Sequence, residues 1–331
     1  MSFIPPLRTI GRDTIRKAAI IGATAPLPRA ARVAQRKARL GALELDIARR
    51  SALIIIAHPK SGNTWLKVML TRLYSQRHGI PEADFARYPA LADANPAIPR
   101  FAATNGWYSY ERAVGDRLQP GAPDDALRHK PVILLARNPL DVAVSWYFQV
   151  TKRQSDHKHE LINAGLSRPV DRRTIGLWEF VRHSEIGMPS LIAFLNYWDA
   201  ALDHLDHTLL ISYEQLRVDP GKVLARIIRL VGDSFTDDEI ADAVAFASFE
   251  NLRRMERAGF FRAGGLTLRD AKDPDSFKVR RAKVDGYRDY FDAAQAAELE
   301  ALVARDLSPR LKALLGLGHR QDSAPVAPVK G

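Results

Sequence analysis

The sequence predicts an α/β fold, a doubly wound parallel sheet flanked by helices in a single domain, on two observations. First, three short apolar runs, ALIIIA (52–57), PVILLA (131–136) and HTLLIS (207–212), are bounded and rich in Ile, Val or Leu, as the buried strands of a parallel sheet are. Second, each run is followed by a stretch with helical character. Strand then helix, repeated, is the pattern of a sheet covered on both faces.

Taken in order, the first strand leads through PKSG into a helix at 63–76. The helices at 139–150 and 220–230 each start with proline, whose fixed φ and missing N–H suit the first turn. Further helices are expected at 174–183, 190–205, 237–247 and 293–305, with irregular loops at 84–125 and 256–276. Residues 1–50 read as a basic N-terminal extension, 51–312 as the domain, and 313–331 as a flexible tail. Ligands of such sheets bind beyond the carboxyl ends of the strands, the edge at which Lys60 and Arg137 fall.

Composition narrows the function classes. The chain has 331 residues, 46% hydrophobic and 26% charged, which is ordinary for a soluble globular protein. It has no cysteine, which excludes disulfides and thiolate chemistry. No apolar run approaches the roughly 18 residues a membrane span needs, and no secretory signal precedes the domain, so a cytoplasmic location is expected. The net charge of +11 sits mostly in residues 1–50, where eleven Lys/Arg face only Asp13, Glu44 and Asp46. The remainder is nearly balanced, so no nucleic-acid partner is expected. The basic arm, with Ile4, Leu7, Ile10, Ile15 and Ile20 among its charges, could make peripheral contact with the inner face of a membrane, or pack its apolar side on the domain.

In PKSGNTW (59–65) a glycine permits a tight turn, and the amides that open the next helix point at whatever sits in it. An anion is the natural guest. Ser61, Asn63 and Thr64 add donors and Lys60 a mobile positive charge. A Walker A loop places its lysine after the second glycine; here the lysine precedes the only glycine, which argues against nucleoside-triphosphate hydrolysis. A second basic edge is LLARNPLDVAVSWYF (134–148), with Arg137 at a strand end and Ser145 about two helical turns on. A guanidinium and a hydroxyl can grip a phosphate there, although Arg137 could equally pair with Asp141.

These residues carry a resemblance. PKSGNTW after a strand, with RNPLDVAVSWYF about seventy residues later, resembles the PKSGTTW and RNxxDxxVSxY signatures of the cytosolic sulfotransferase family. ISYEQLRVDP (211–220) is similar to the family's YEDL segment, and FKVRRAKVDGYRDYF (277–291) to its C-terminal RKGxxGDWxxxF segment. The resemblance implies a P-loop-like nucleotide site for the co-substrate 3′-phosphoadenosine 5′-phosphosulfate (PAPS), with the desulfated nucleotide PAP as product and no metal. Carried over, Lys60, Ser61, Gly62, Asn63 and Thr64 would cradle the 5′-phosphosulfate and Trp65 would stack on adenine. Arg137, Ser145, Arg280 and Arg281 would hold the 3′-phosphate, and Tyr213, Ser248 and Phe249 would line the adenine side.

The acceptor side departs from the family. Its basic histidine lies in a KTH segment, which PRFAATNGWYSYE (99–111) matches with Ala103 and Asn105. An amide cannot accept the proton. A carboxylate, Glu111 or Asp116, is expected in its place, with Asn105 orienting the acceptor; alternatively the acceptor is acidic enough to need little help, or the protein binds PAPS and PAP without catalysis. The acceptor class implied is a hydroxyl or amine of a small molecule, lipid or glycan. Trp107, Tyr108, Tyr110, Trp146 and Tyr147 read equally as an aromatic pocket or as core. DHKHE (156–160) and the His204/His207 group have ligand-like spacing but read as a solvated loop and a polar helix end.

Overall fold

The computed structural model describes residues 11–105, 110–121, 125–262, 266–267 and 284–317. Two N-terminal helices, α1 (Arg12–Thr24) and α2 (Arg29–Arg49), are followed by β1 (Leu53–Ile56) and α3 (Asn63–Arg77). After β2 (Phe101–Thr104) come β3 (Val132–Ala136), α4 (Pro139–Phe148), α5 (Asp156–Asn163) and β4 (Thr208–Ser212). The strands form one parallel sheet in the order β2-β1-β3-β4. The expected α/β fold is present.

Alternation along the strands divides the core between two layers, as a doubly wound sheet requires. Ile54, Ile56, Val132, Leu134 and Ala136 pack on one side with α4 and the helices Met188–Ala201 and Ala293–Asp306. Leu53, Ile55, Ile133, Leu135 and Ile211 pack on the other with α3 and the helices Pro220–Val231 and Asp237–Phe246. Every β1 side chain is fully buried, which explains why that run is apolar without alternation. Helix starts follow local chemistry: the Asn138 side chain accepts from Leu140 N ahead of Pro139, and Ser212 closes a capping box with Gln215.

Four expectations need correction. Residues 84–125 are not all loop. They hold β2, whose FAAT sequence is too short and small to signal a strand, and the helix Ala113–Leu118. A helix runs from Phe249 to Arg257, past the expected loop start at 256. The α4 segment ends as an α-helix at Phe148 and continues as a π-helical turn, Gln149–Arg153. Finally, DHKHE is no solvated loop: it begins α5, and its Lys158 is partly buried. The N-terminal region is broken between α1 and α2, with Pro28 at the N-cap of α2. Among the described residues, no helix is long and apolar enough to cross a membrane.

Candidate active site

The first part of the site grows out of β1. Ala57 N still pairs with Thr104 O at 3.1 Å, and the chain then turns so tightly that Ser61 N reaches His58 O at 3.2 Å. Two residues of the turn take positive φ, Lys60 at 79° and Gly62 at 104°. For Lys60 the left-handed region costs roughly 1–3 kcal/mol, tolerated where the surroundings impose it. At Gly62 a Cβ would lie 2.7 Å from Tyr213 Cδ2, so both the dihedral and the close approach require glycine.

Gly62 caps α3 without a side chain, while its carbonyl accepts from Trp65 N and Leu66 N. The opening amides of α3 therefore face the turn, with the positive end of the helix behind them. Ser61 is 1% exposed, and neither its Oγ nor Asn63 Oδ1 has a hydrogen-bond partner. A buried polar atom left unmet costs about 1–3 kcal/mol, and of the two the Ser61 hydroxyl can donate, so it suits a turn that is completed by an anion. His58 beside it is a packing residue. Its Nδ1–H donates to Pro59 O at 2.9 Å, its ring meets Trp146 and Phe194 edge-on, and burial pulls its pKa down to about 3.

The second basic edge adjoins the first. Arg137, at the end of β3, donates from Nη1 to Lys60 O at 3.0 Å, and its guanidinium lies 4.2 Å from the Tyr213 ring centre. Its Nη2 is 3.9 Å from Asp141, so the pairing with that residue is loose. Asp141 instead accepts from Asp285 N at 2.9 Å and Tyr287 N at 3.1 Å, fixing the returning chain to the first turn of α4. Arg280 and Arg281 lie outside the described residues, as do Trp107 and Tyr108. Ser145 is half-buried on α4.

Trp65, Tyr213 and the 247–249 segment form an aromatic side to the same edge. The Trp65 indole donates to Ala247 O at 2.7 Å and meets Tyr213 edge-on at 5.8 Å. Ser248 Oγ accepts from Asn251 N and caps the helix that half-buried Phe249 begins. Of the other expected aromatics, Trp146 is buried in the core, and Tyr147 donates to Ile175 O at 3.3 Å.

The residues expected on the acceptor side follow β2, beside the turn. Asn105 donates from Nδ2 to Glu111 Oε2, and Lys158 Nζ on α5 lies 3.0 Å from Glu111 Oε1. Burial would raise the Glu111 carboxyl, but the charges of Lys158 and Lys17 and the Asn105 hydrogen bond outweigh it and hold the pKa below the usual carboxylate range. Asp116 accepts from Gln119 on an exposed stretch, apart from this group. Sequence reasoning missed Lys158, Lys17 and Glu44, which come from α5, α1 and α2. No linear spacing relates them to Asn105.

Comparison with known proteins accords with this geometry. Residues 50–310 match the model of the sulfotransferase domain family. Cytosolic sulfotransferase 13 of Arabidopsis thaliana is 25% identical over 267 residues, covering 76% of each chain, and cytosolic sulfotransferase 16 of the same plant is 25% identical over 274 residues, 77% of this chain and 76% of its own. A mouse sulfotransferase solved in complex with PAP superposes with a TM-score of 0.51 at 21% identity, over 80% of this chain and 88% of its own, which shows a shared fold.

Proposed function

Since the chain belongs to the sulfotransferase domain family, we propose that it transfers the sulfuryl group of PAPS to a hydroxyl or amine, with the nucleotide held along the β1 and β3 edge and the acceptor at the β2 end. The observation that carries this reading is the Lys60–Thr64 turn. It has glycine where a side chain would collide with Tyr213, a buried Ser61 hydroxyl without a partner, and a second cation, Arg137, bonded to its backbone. These residues fit a phosphosulfate. Relatives named for sulfotransferase activity and a neighbour holding PAP support the same choice of co-substrate.

In this reading Lys60, Ser61, Gly62, Asn63 and Thr64 hold the phosphosulfate, and Trp65, Tyr213, Ser248 and Phe249 the adenine. Arg137 and Ser145, with Arg280 and Arg281, hold the 3′-phosphate. The bond from sulfur to the bridging oxygen of the leaving phosphate breaks as a bond from sulfur to the acceptor oxygen forms. Lys60 offsets the charge that grows on the bridging oxygen, where positioning and charge stabilisation supply most of the acceleration.

The acceptor proton passes to Glu111, and Asn105 orients the acceptor beside it. A carboxylate held ionised stands ready at neutral pH but is a weaker base than a group titrating near 7. That chemistry suits an acidic acceptor, such as a phenol, better than a simple alcohol. Small-molecule, lipid and glycan acceptors are the classes to screen. A cytoplasmic location follows the relatives' printed names, and peripheral membrane contact through the basic arm is the finer proposal.

Calorimetry with PAP, followed by transfer from radiolabelled PAPS to a panel of phenols, alcohols, sterols and sugars, tests the reading. Uptake of PAP with labelled product supports it. No uptake of PAP would overturn it, and uptake without transfer to any acceptor would favour a nucleotide-binding protein, the reading that family membership does not favour.

A further inference from the structure

The residues around Glu111 include two that lie outside the segment matched by the family model. On α1, Lys17 Nζ donates to Tyr110 OH at 2.5 Å, and its charge acts on Glu111 next door. On α2, Glu44 accepts from Ala113 N at 3.1 Å. The same helix sends Arg32 and Arg36 to Glu160 on α5, at 2.5 and 2.9 Å, two residues after the Lys158 that pairs with Glu111. The two helices thus grip both segments that carry the Glu111–Lys158 pair.

We propose that Lys17 is a positioning residue of the acceptor end, which orients Tyr110 and sets a second cation beside the Glu111–Lys158 pair, so that helices α1 and α2 are part of the working site. The inference rests on the proposed role of Glu111 as proton acceptor. The groups facing Glu111 are Lys17 from α1, Glu44 from α2, Asn105 and Tyr110 from its own segment, and Lys158 from α5, with His157 beside the two lysines.

Their charges agree with this assignment. Burial, then the charge of Lys158, lowers the Lys17 ammonium to about 8, so it remains cationic at neutral pH. Burial raises Glu44 to about 8, so it is mostly neutral there. Burial and the charges of Lys17, Lys158 and Arg36 lower His157 to about 4, so it too is neutral. Among the described residues, Lys17 and Lys158 are therefore the cations that stabilise the Glu111 carboxylate.

The test is a carbon-13 NMR titration of the full chain labelled at glutamate carboxyls, with the Glu111 signal assigned by Glu111→Gln. In Lys17→Met the Glu111 midpoint should rise by about one pH unit, the lower end of what loss of a nearby opposite charge produces. Lys17→Arg should restore it, and PAP affinity should stay within about twofold, since Lys17 touches none of the nucleotide-side residues. A midpoint unmoved in folded Lys17→Met overturns the proposal. If that variant does not fold, Lys17→Gln, which keeps a donor for Tyr110 and removes the charge, is titrated in its place. A raised Glu111 midpoint supports the proposal, and an unmoved one overturns it. Failure of the unaltered chain to take up PAP would sink the sulfotransferase reading separately, and would leave this titration readable.

Discussion

The proposed nucleotide end and the proposed acceptor end of the site are built on opposite plans. Around Lys60 the chain leaves a donor unmet: Ser61 Oγ is buried without a partner, and no side chain caps α3. Around Glu111 the charges are largely met from within, by Lys158, Asn105 and the nearby Lys17. The contrast teaches what each end requires. A site for a multiply charged anion must keep its donors vacant, because a donor already satisfied gains little from a ligand. A proton acceptor must hold one ionisation state, which demands fixed charges around it.

Four experiments bear on this contrast. Lys60→Ala should lower turnover of PAPS by about a thousandfold, as loss of one donor to a developing oxyanion does, while circular dichroism shows the fold intact. An unchanged rate would remove Lys60 from the mechanism. Glu111→Gln keeps the shape and removes the charge. Turnover should fall by about a hundredfold, the lower range for a general base, with PAP affinity preserved. Normal activity would shift the proton acceptor elsewhere.

Arg137→Lys keeps the charge but loses the planar fork over Tyr213 and the bond to Lys60 O. Calorimetry should show PAP binding about tenfold weaker, a change of about 1.4 kcal/mol. Equal affinity would mean that a point charge suffices. The smallest effect concerns Glu44, whose carboxyl in the folded chain is raised by burial from 4.5 to about 8. Between those values folding takes up a proton, so stability falls as pH rises, by at most about 1.4 kcal/mol per unit. Glu44→Gln should flatten that limb in denaturant titrations, and an unaltered slope would show that Glu44 ionises freely in the folded chain.

The nucleotide end was the more legible of the two. PKSGNTW and the strand before it lie within a few residues, so turn, helix start and donors can be read together, and the strand-end position of Arg137 places it at the same edge. The positive φ of Lys60 was not legible, because lysine carries no sign of it. Nor was the hydrogen bond from Arg137 to the Lys60 carbonyl, which depends on β1 and β3 being neighbours. At the acceptor end, Asn105 and Glu111 stood out only by contrast with the family pattern, and DHKHE read as solvent-facing until α5 brought Lys158 to Glu111.

The sequence by itself determined the parallel α/β sheet, the tight turn after β1 and the family, because strand periodicity and turn chemistry act between residues close along the chain. Only the tertiary structure decided the strand order, the contact between the two basic edges and the gathering of Lys17, Glu44, Glu111 and Lys158. The physical reason is that a charge acts over a few ångströms of space whatever the separation along the chain. Which helices dock beside β2 therefore fixes the ionisation of Glu111, and no local pattern records that choice.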